Sequence, residues 1–144
     1  AHESITSRFT DSPTLPVTPG QSYTIGPFAL RFFGGDHASI DSSIQTPPNL
    51  GVLIDESMYY PGDSWTIPEG YSVRSLALPV SAPWLSFSAC ADFLRTVKPQ
   101  FAFPTHDHIL SADGRALADR LVSGVASAQA TSYKRLDGST VELT

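Results

Sequence analysis

The stretch FAFPTHDHIL, Phe101 to Leu110, decides the fold because it joins a short apolar strand directly to two histidines that flank an aspartate. Imidazole nitrogens and carboxylate oxygens are donors that suit borderline ions such as Zn²⁺, Mn²⁺ and Fe. The stretch therefore predicts half of a metal site at the end of a strand. His106 is its first candidate ligand, and the remaining ligands must come from elsewhere.

Two other polar clusters share this context, since each follows directly on a predicted strand. GGDH places His37 after the strand FALRFF, and PGDSW places Asp63 after the strand SMYY. Strand ends that open at one edge of a sheet collect ligands in α/β folds, because rigid strands fix the side chains that follow them. We therefore expect His37, Asp63 and His106 to meet as metal ligands. Three neighbours are candidates for orienting these ligands: Asp36, Asp107 and His108.

Each of these residues also has a purely structural interpretation. A histidine after a strand is more often a hydrogen-bonded surface residue than a ligand, and Asp63 within PGDS is also a typical turn residue. Trp65 and Trp84 follow the polar segments and either line a pocket or pack, and Trp84 is the more typical core residue. The recurrence of one arrangement after three strands favours the metal site.

Hydrophobic periodicity predicts a single α/β domain over residues 1–144, with helices packed against a mixed sheet. Two hairpins are predicted, about Gly26-Pro27 and about Asp55-Glu56, followed by a buried strand over 72–80 and a helix over 86–97. After QFAFPTH, a helix over 111–128 begins at Ser111 or Asp113. One face of this helix carries Leu117, Leu121, Val122 and Val125. SYKRL and TVEL about Asp137-Gly138 predict a closing hairpin.

Composition narrows the classes of function. The formal net charge is -5, and no basic cluster is present, so nucleic acid is not an expected partner. No apolar run reaches the roughly 20 residues of a membrane span. The single cysteine, Cys90, lies in a helical pattern and is expected to be a buried structural thiol. A soluble, cytoplasmic protein acting on a small molecule is the expectation.

Three segments in order carry a resemblance to a known superfamily: FFGGDHASIDSSIQTPPNLGVLIDESMYYPGDSW, then LALPVSAPW, then FLRTVKPQFAFPTHDHILSADG. From about Pro19 onward the chain resembles the C-terminal half of a metallo-β-lactamase-fold hydrolase, of the branch that includes ascorbate-6-phosphate lactonase-like proteins. The resemblance implies half of a four-layer αβ/βα sandwich. It also implies that Asp63 bridges two metal ions, and that His37 and His106 are metal-binding histidines.

By the same resemblance the expected activity is hydrolysis, in which a metal-bound hydroxide attacks an ester, lactone, amide or phosphoester. Members of the superfamily carry an HxHxDH motif near the N-terminus, and this chain does not. THDHIL begins like that motif, but Leu110 and Ser111 stand where its aspartate and last histidine belong. We therefore expect the chain to be inactive alone and to need an N-terminal half of roughly 70 to 90 residues.

Two hypotheses follow from this departure. Either the chain is the C-terminal fragment of a metallo-hydrolase, with an incomplete site for Zn or Mn (or Fe), or it is a non-catalytic half-fold module with vestigial metal motifs. In both cases an apolar face is left bare, which predicts a homo-oligomer or association with the N-terminal half. A serine hydrolase is not indicated, because no G-x-S-x-G elbow is present.

Overall fold

The computed structural model describes residues 1–9, 11 and 13–142, and its central feature is a seven-stranded mixed sheet in the order β1-β2-β3-β4-β5-β6-β7. The strands are β1 Ser22–Ile25, β2 Phe28–Gly35, β3 Asn49–Ile54, β4 Met58–Tyr60, β5 Ser75–Pro79, β6 Phe101–Thr105 and β7 Ser132–Tyr133. The helices are α1 Glu3–Thr6, α2 Phe87–Val97 and α3 Ala112–Ser127. The predicted mixed sheet with flanking helices is confirmed.

Strand direction is the property of this sheet that positions the site. β1, β2, β3 and β4 pair antiparallel in succession, whereas β4, β5, β6 and β7 pair parallel. Consequently β2, β4, β5 and β6 all run the same way. Their carboxyl ends open at one edge, where the three predicted polar clusters lie.

Local signals explain where the two long helices begin and end. The Ser86 hydroxyl accepts a hydrogen bond from the Ala89 amide at 3.2 Å, and α2 ends at Lys98 in the left-handed conformation. The Ser111 hydroxyl accepts from the Gly114 amide at 3.1 Å, so Ser111 is the cap of α3. A capping oxygen satisfies one of the amides that the first turn of a helix leaves unpaired.

The core lies between α2, α3 and one face of the sheet. Leu53, Tyr59, Leu76, Leu78 and Ala102 come from alternate positions of four neighbouring strands and are at most 1% exposed. They pack in one cluster with helix residues, namely Cys90, Phe93, Leu94, Val122 and Ala126. Cys90 is buried as predicted, and burial raises the pKa of its thiol to about 12.

The other face of the sheet is apolar and only partly covered. Register places residues of adjacent strands side by side on it, as in Leu30 with Ile54 and Phe32 with Val52. Ile25 and Phe28 are 55% and 52% exposed. Within the described ranges, α2 and α3 pack only on the opposite face. We call this surface the bare sheet face; its larger side chains are Tyr23, Ile25, Phe28, Leu30, Phe32, Val52, Ile54, Met58, Tyr60, Phe101 and Phe103.

One prediction about the C-terminal third is wrong. The closing hairpin does not form: β7 instead pairs parallel with β6, and residues 139–142 beyond the Asp137-Gly138 turn are not a strand. Leu143 of that predicted hairpin lies outside the described residues. On α3, Val122 is buried, but Leu117 and Leu121 are 47% and 40% exposed, because only part of the helix surface reaches the sheet.

No helix in the described ranges has the length and apolar character needed to cross a membrane.

Candidate metal centre

The structure brings His37, Asp63 and His106 together at the edge where β2, β4 and β6 end. Asp63 Oδ2 lies 3.5 Å from His37 Nε2, and Asp63 Oδ1 lies 3.0 Å from His106 Nε2. Each carboxylate oxygen therefore faces a different imidazole. We call these three residues the His–Asp–His cluster. Their side chains are partly accessible, at 10%, 36% and 33% of full exposure respectively.

Asp63 is held by its own backbone. Its amide donates to Asn49 Oδ1 at 2.8 Å, and its carbonyl accepts from the Ala38 amide at 2.7 Å. Asn49 Nδ2 also donates to the Pro61 carbonyl at 2.8 Å. Gly62 has a φ of +66°, and a Cβ there would lie 2.3 Å from Asn49 Oδ1, so only glycine fits this turn. The turn between Pro61 and Asp63 is thereby fixed to the head of β3.

His37 has one tautomer that satisfies its surroundings. His37 Nδ1 lies 2.6 Å from the Ala38 carbonyl, which can only accept a hydrogen bond, so Nδ1 carries the proton. In the neutral ring Nε2 then bears a lone pair, and it faces the Asp63 carboxylate, which is another acceptor. A hydrogen bond from one ring nitrogen to a carbonyl is how proteins orient a metal-binding histidine.

His106 occupies an unusual backbone conformation. It directly follows β6 and has a φ of +59°, in the left-handed region that residues with a Cβ seldom adopt. Histidine tolerates this region better than bulky or branched residues do. The turn directs the chain away from the strand at the point where the imidazole meets Asp63, and such strained positions concentrate at functional sites.

Trp84 forms an aromatic wall behind both imidazoles. Its ring centroid lies 6.1 Å from that of His37 and 6.1 Å from that of His106, in edge-to-face arrangements. Trp65 meets Trp84 edge-to-face, with ring centroids 5.1 Å apart, and its ring centroid lies 5.3 Å from that of the buried Phe93. The expectation that Trp84 is a core residue is therefore wrong in part. It is half-buried and connects the core to the site.

The three neighbouring candidates lie in different environments. Asp36 and His108 are exposed. The Asp107 carboxylate pairs with Arg135 and lies 3.7 Å from Arg115 Nε, on the α3 side of the loop. Their predicted role in orienting the ligands stays a prediction for all three.

Sequence reasoning missed Asn49 as the residue that holds the Asp63 turn. A signal for it was present, because asparagine is depleted in strands and Asn49 heads an otherwise apolar one. The sequence carried no comparable signal for the partnership between Arg135 and Asp107, which lie 28 positions apart.

The His–Asp–His cluster is an incomplete ligand set for one ion. Two ligands on one zinc ion, each at about 2.0–2.1 Å, stand roughly 3.3 Å apart, close to both separations in the cluster. Across residues 1–9, 11 and 13–142, however, no three His, Cys, Asp or Glu side chains form a group that could hold an ion. Each half of the cluster offers one nitrogen and one oxygen. Catalytic zinc sites use three protein ligands.

Replacing Asn49 with alanine is expected to loosen the site. The change leaves the Asp63 amide and the Pro61 carbonyl without their partner, so we expect the free energy of unfolding to fall by about 1–3 kcal/mol. Urea denaturation measures this loss. The exposed amide Gln45 supplies the control, since Gln45→Ala should change stability by less than about 0.5 kcal/mol. Equal stability of the two variants would show that Asn49 does not hold the turn.

The chain is similar in sequence to one curated protein and similar in fold to several solved structures. No family model matches the chain. Protein Rv0786c of Mycobacterium tuberculosis is 34% identical over 110 residues, which cover 73% of this chain and 51% of the relative. The chain therefore spans about half the length of this relative.

Solved structures establish the fold. Igni18, a metallo hydrolase of the archaeon Ignicoccus hospitalis, matches with a TM-score of 0.68 and 17% identity, covering 93% of this chain and 63% of Igni18. YhfI, a metallo-β-lactamase-fold protein of Bacillus subtilis, matches at 0.59 and 14%, covering 93% and 58%. CmlA, a diiron β-hydroxylase of Streptomyces venezuelae, matches at 0.55 and 11%, covering 91% and 35%. Since these proteins do not share one chemistry, function must be argued from the site. The chain has the mixed α/β fold of metallo-β-lactamase-fold proteins.

Proposed function

We propose that this chain supplies His37, Asp63 and His106 as ligands to the divalent metal of a hydrolase that acts on a small molecule. The observation that carries the proposal is the placement of one carboxylate between two imidazoles, with each oxygen facing a different ring. A carboxylate in this position suits a bridge between two ions, as the resemblance implies for Asp63. The fold of the chain, shared with a metallo hydrolase, supports the same conclusion.

A metal ion between His37 Nε2 and Asp63 Oδ2 would account for their contact, and a proton on His37 Nε2 is the alternative. The Nδ1 proton of His37 is directed to the Ala38 carbonyl, so neutral His37 presents a lone pair to the carboxylate. Two acceptors at 3.5 Å repel one another unless a proton or a metal ion lies between them. The donor set of two nitrogens and two carboxylate oxygens fits Zn²⁺, Mn²⁺ or Fe.

The remaining ligands are proposed to come from outside residues 1–144. Each Asp63 oxygen and the imidazole nitrogen that faces it make two donors for an ion, and catalytic zinc sites use three protein ligands. The remaining ligands would come from an N-terminal half with the HxHxDH motif, as in the ascorbate-6-phosphate lactonase-like branch, or from a second copy of this chain. In either case the bare sheet face gives the added segment an apolar surface to cover.

The residues of this chain would act by placing the metal and its surroundings. When bound, a divalent ion supplies Lewis acidity toward a carbonyl or phosphoryl oxygen. Asp63 would hold one imidazole at each of its carboxylate oxygens, and Trp84 would support both rings by its edge-to-face contacts. An ester, lactone, amide or phosphoester is the proposed substrate class.

A non-catalytic half-fold module is the second candidate function. The observation in its favour is the bare sheet face, which suits association with itself or with another chain. In that case the His–Asp–His cluster would be the vestige of a metal site that no longer binds an ion. Metal binding separates the two candidates, because only the first needs the cluster to be occupied.

Calorimetric titration of Zn²⁺ and of Mn²⁺ into this chain tests the proposal. We expect weak binding that is lost in His106→Ala and retained in His108→Ala, since His108 is an exposed imidazole two positions away. Joining the upstream segment of the parent protein should strengthen binding and confer hydrolysis of an ester, lactone or phosphoester panel. Equal metal binding by wild type and His106→Ala would overturn the ligand assignment.

A further inference from the structure

Arg135 connects the C-terminal segment to the loop that carries His106. Its guanidinium donates two hydrogen bonds to Asp119 of α3, from Nε to Oδ2 at 2.8 Å and from Nη2 to Oδ1 at 2.9 Å. Its remaining nitrogen, Nη1, donates to Asp107 Oδ2. The Arg135 side chain is only 18% exposed. One arginine thus joins α3 to the residue directly after His106.

Both neighbours of His106 are fixed by interactions outside the loop. On the strand side, the Thr105 carbonyl accepts from the Val80 amide at 3.1 Å, which continues the pairing of β6 with β5. On the loop side, Asp107 is held by Arg135 through its carboxylate and accepts from the Leu110 amide through its carbonyl at 3.0 Å. His106 turns through its left-handed conformation between these two anchors.

We propose that Arg135 is a positioning residue for the candidate metal centre, which holds Asp107 and thereby keeps His106 in the left-handed conformation that aims its imidazole at Asp63. The inference rests on the proposed function, since it concerns a ligand of that same site. An unusual backbone conformation persists only when its surroundings determine it, and Arg135 supplies the determinant on the loop side.

Arginine suits this task better than lysine. The planar fork of a guanidinium engages one carboxylate with two parallel donors and leaves a third nitrogen for another. A lysine ammonium on its flexible stem would pair with Asp107 or Asp119 but would not set the angle between them.

The network around Asp119 indicates that Arg135 is firmly held. The Tyr133 hydroxyl donates to Asp119 Oδ1 at 2.6 Å, next to the two donors of Arg135. Burial alone would raise the pKa of Asp119, but the hydrogen bonds from Arg135 and Tyr133 and the charge of Arg135 outweigh it and lower that pKa. Asp119 therefore stays ionised and anchors the far side of the guanidinium.

The first measurement is φ of His106 by NMR in metal-free protein, derived from a set of backbone coupling constants together with the intraresidue amide–Hα NOE. We expect the left-handed value in wild type and its loss or averaging in Arg135→Gln and in Asp107→Asn. Arg95→Gln is the matched control, because it breaks an exposed Arg95–Asp92 pair of 2.9 Å on α2. Asp107→Asn also guards against failure of Arg135→Gln to fold, since it leaves the Arg135–Asp119 pair in place.

The second measurement is zinc affinity in a double-mutant cycle. We expect Arg135→Gln and Asp107→Asn each to raise the Zn²⁺ dissociation constant by about 10- to 100-fold, as loss of a ligand-orienting partner does. The double variant should lose no more than the larger single effect, because the Arg135–Asp107 contact is the interaction that both changes break. Additive losses would mean that Arg135 acts through α3 and would overturn the proposal.

The two readouts separate this inference from the proposed function. An unchanged φ of His106 in Arg135→Gln would refute the positioning role of Arg135, whether or not zinc binds. A changed φ of His106 in Arg135→Gln, in a protein whose wild type binds no zinc, would support the positioning role of Arg135 and refute the metal site.

Discussion

Replacement of Asp63 by asparagine is expected to lower the affinity for Zn²⁺ and Mn²⁺ by more than about 100-fold, the upper end of the loss seen for ligand-orienting partners. The carboxylate places one oxygen against His37 Nε2 and the other against His106 Nε2. An amide is neutral and offers only one oxygen, so it serves at most one of the two imidazoles. Calorimetric titration of each ion, with wild type measured in parallel, gives the ratio.

Asp92→Asn supplies the control for this experiment. Asp92 lies on α2 and its side chain is 74% exposed, so its loss removes the same charge without reaching the His–Asp–His cluster. We expect wild-type affinity in this variant. A similar loss in both variants would mean that net charge, rather than coordination by Asp63, governs metal binding.

Leu78→Ala is expected to lower the free energy of unfolding by about 2–5 kcal/mol, the usual cost of truncating a fully buried leucine. Leu78 is 0% exposed in the middle of β5 and packs in the core cluster with residues of α2 and α3. The truncation loses buried apolar area and leaves a cavity that the tightly paired β4, β5 and β6 cannot collapse. Urea denaturation followed by circular dichroism measures the change.

The same truncation on α3 is the matched comparison. Leu117 is 47% exposed, so Leu117→Ala should change stability by less than about 0.5 kcal/mol. A loss of 2 kcal/mol or more in Leu117→Ala would show that something covers this part of α3 in solution, and a small loss in Leu78→Ala would show that the core is not packed as described.

The sheet and its helices were predictable wherever a single local pattern dominated. The hairpin about Gly26-Pro27 and the hairpin about Asp55-Glu56 form as the alternation of apolar residues and the turn residues indicate. β5 also forms, but over Ser75–Pro79 rather than the longer apolar run. α2 begins after a serine cap and ends before a proline, which are strong local signals.

The prediction of the closing hairpin was wrong because a tertiary interaction outweighed the local turn signal. Asp137-Gly138 forms a turn, but the segment before it pairs parallel with β6 over Ser132 and Tyr133. The Tyr133 hydroxyl and Arg135 then bond Asp119 of α3. Parallel pairing of β7 with the distant β6 produces no pattern of apolar residues in the sequence. The prediction therefore rested on the Asp-Gly dipeptide, which is a strong hairpin signal.

The convergence of the candidate ligands followed from the sequence, but their support did not. Three polar clusters after three strands predicted that His37, Asp63 and His106 meet, and the direction of β2, β4 and β6 explains why they do. The positive φ of His106 and the contact of Arg135 with Asp107 depend on packing between distant segments. The sequence pattern therefore predicted which side chains lie near one another, but not the contacts that orient them.

A partner on the bare sheet face would make the stability of the chain depend on the concentration of that partner. A partner that binds this face only in the folded state, present at 100 times its dissociation constant, would add about 2.7 kcal/mol to the free energy of unfolding. That gain is comparable to the loss expected from Leu78→Ala. The apparent melting temperature would then rise with the concentration of whatever covers Ile25 and Phe28, so a single stability value would describe a solution and not the chain by itself.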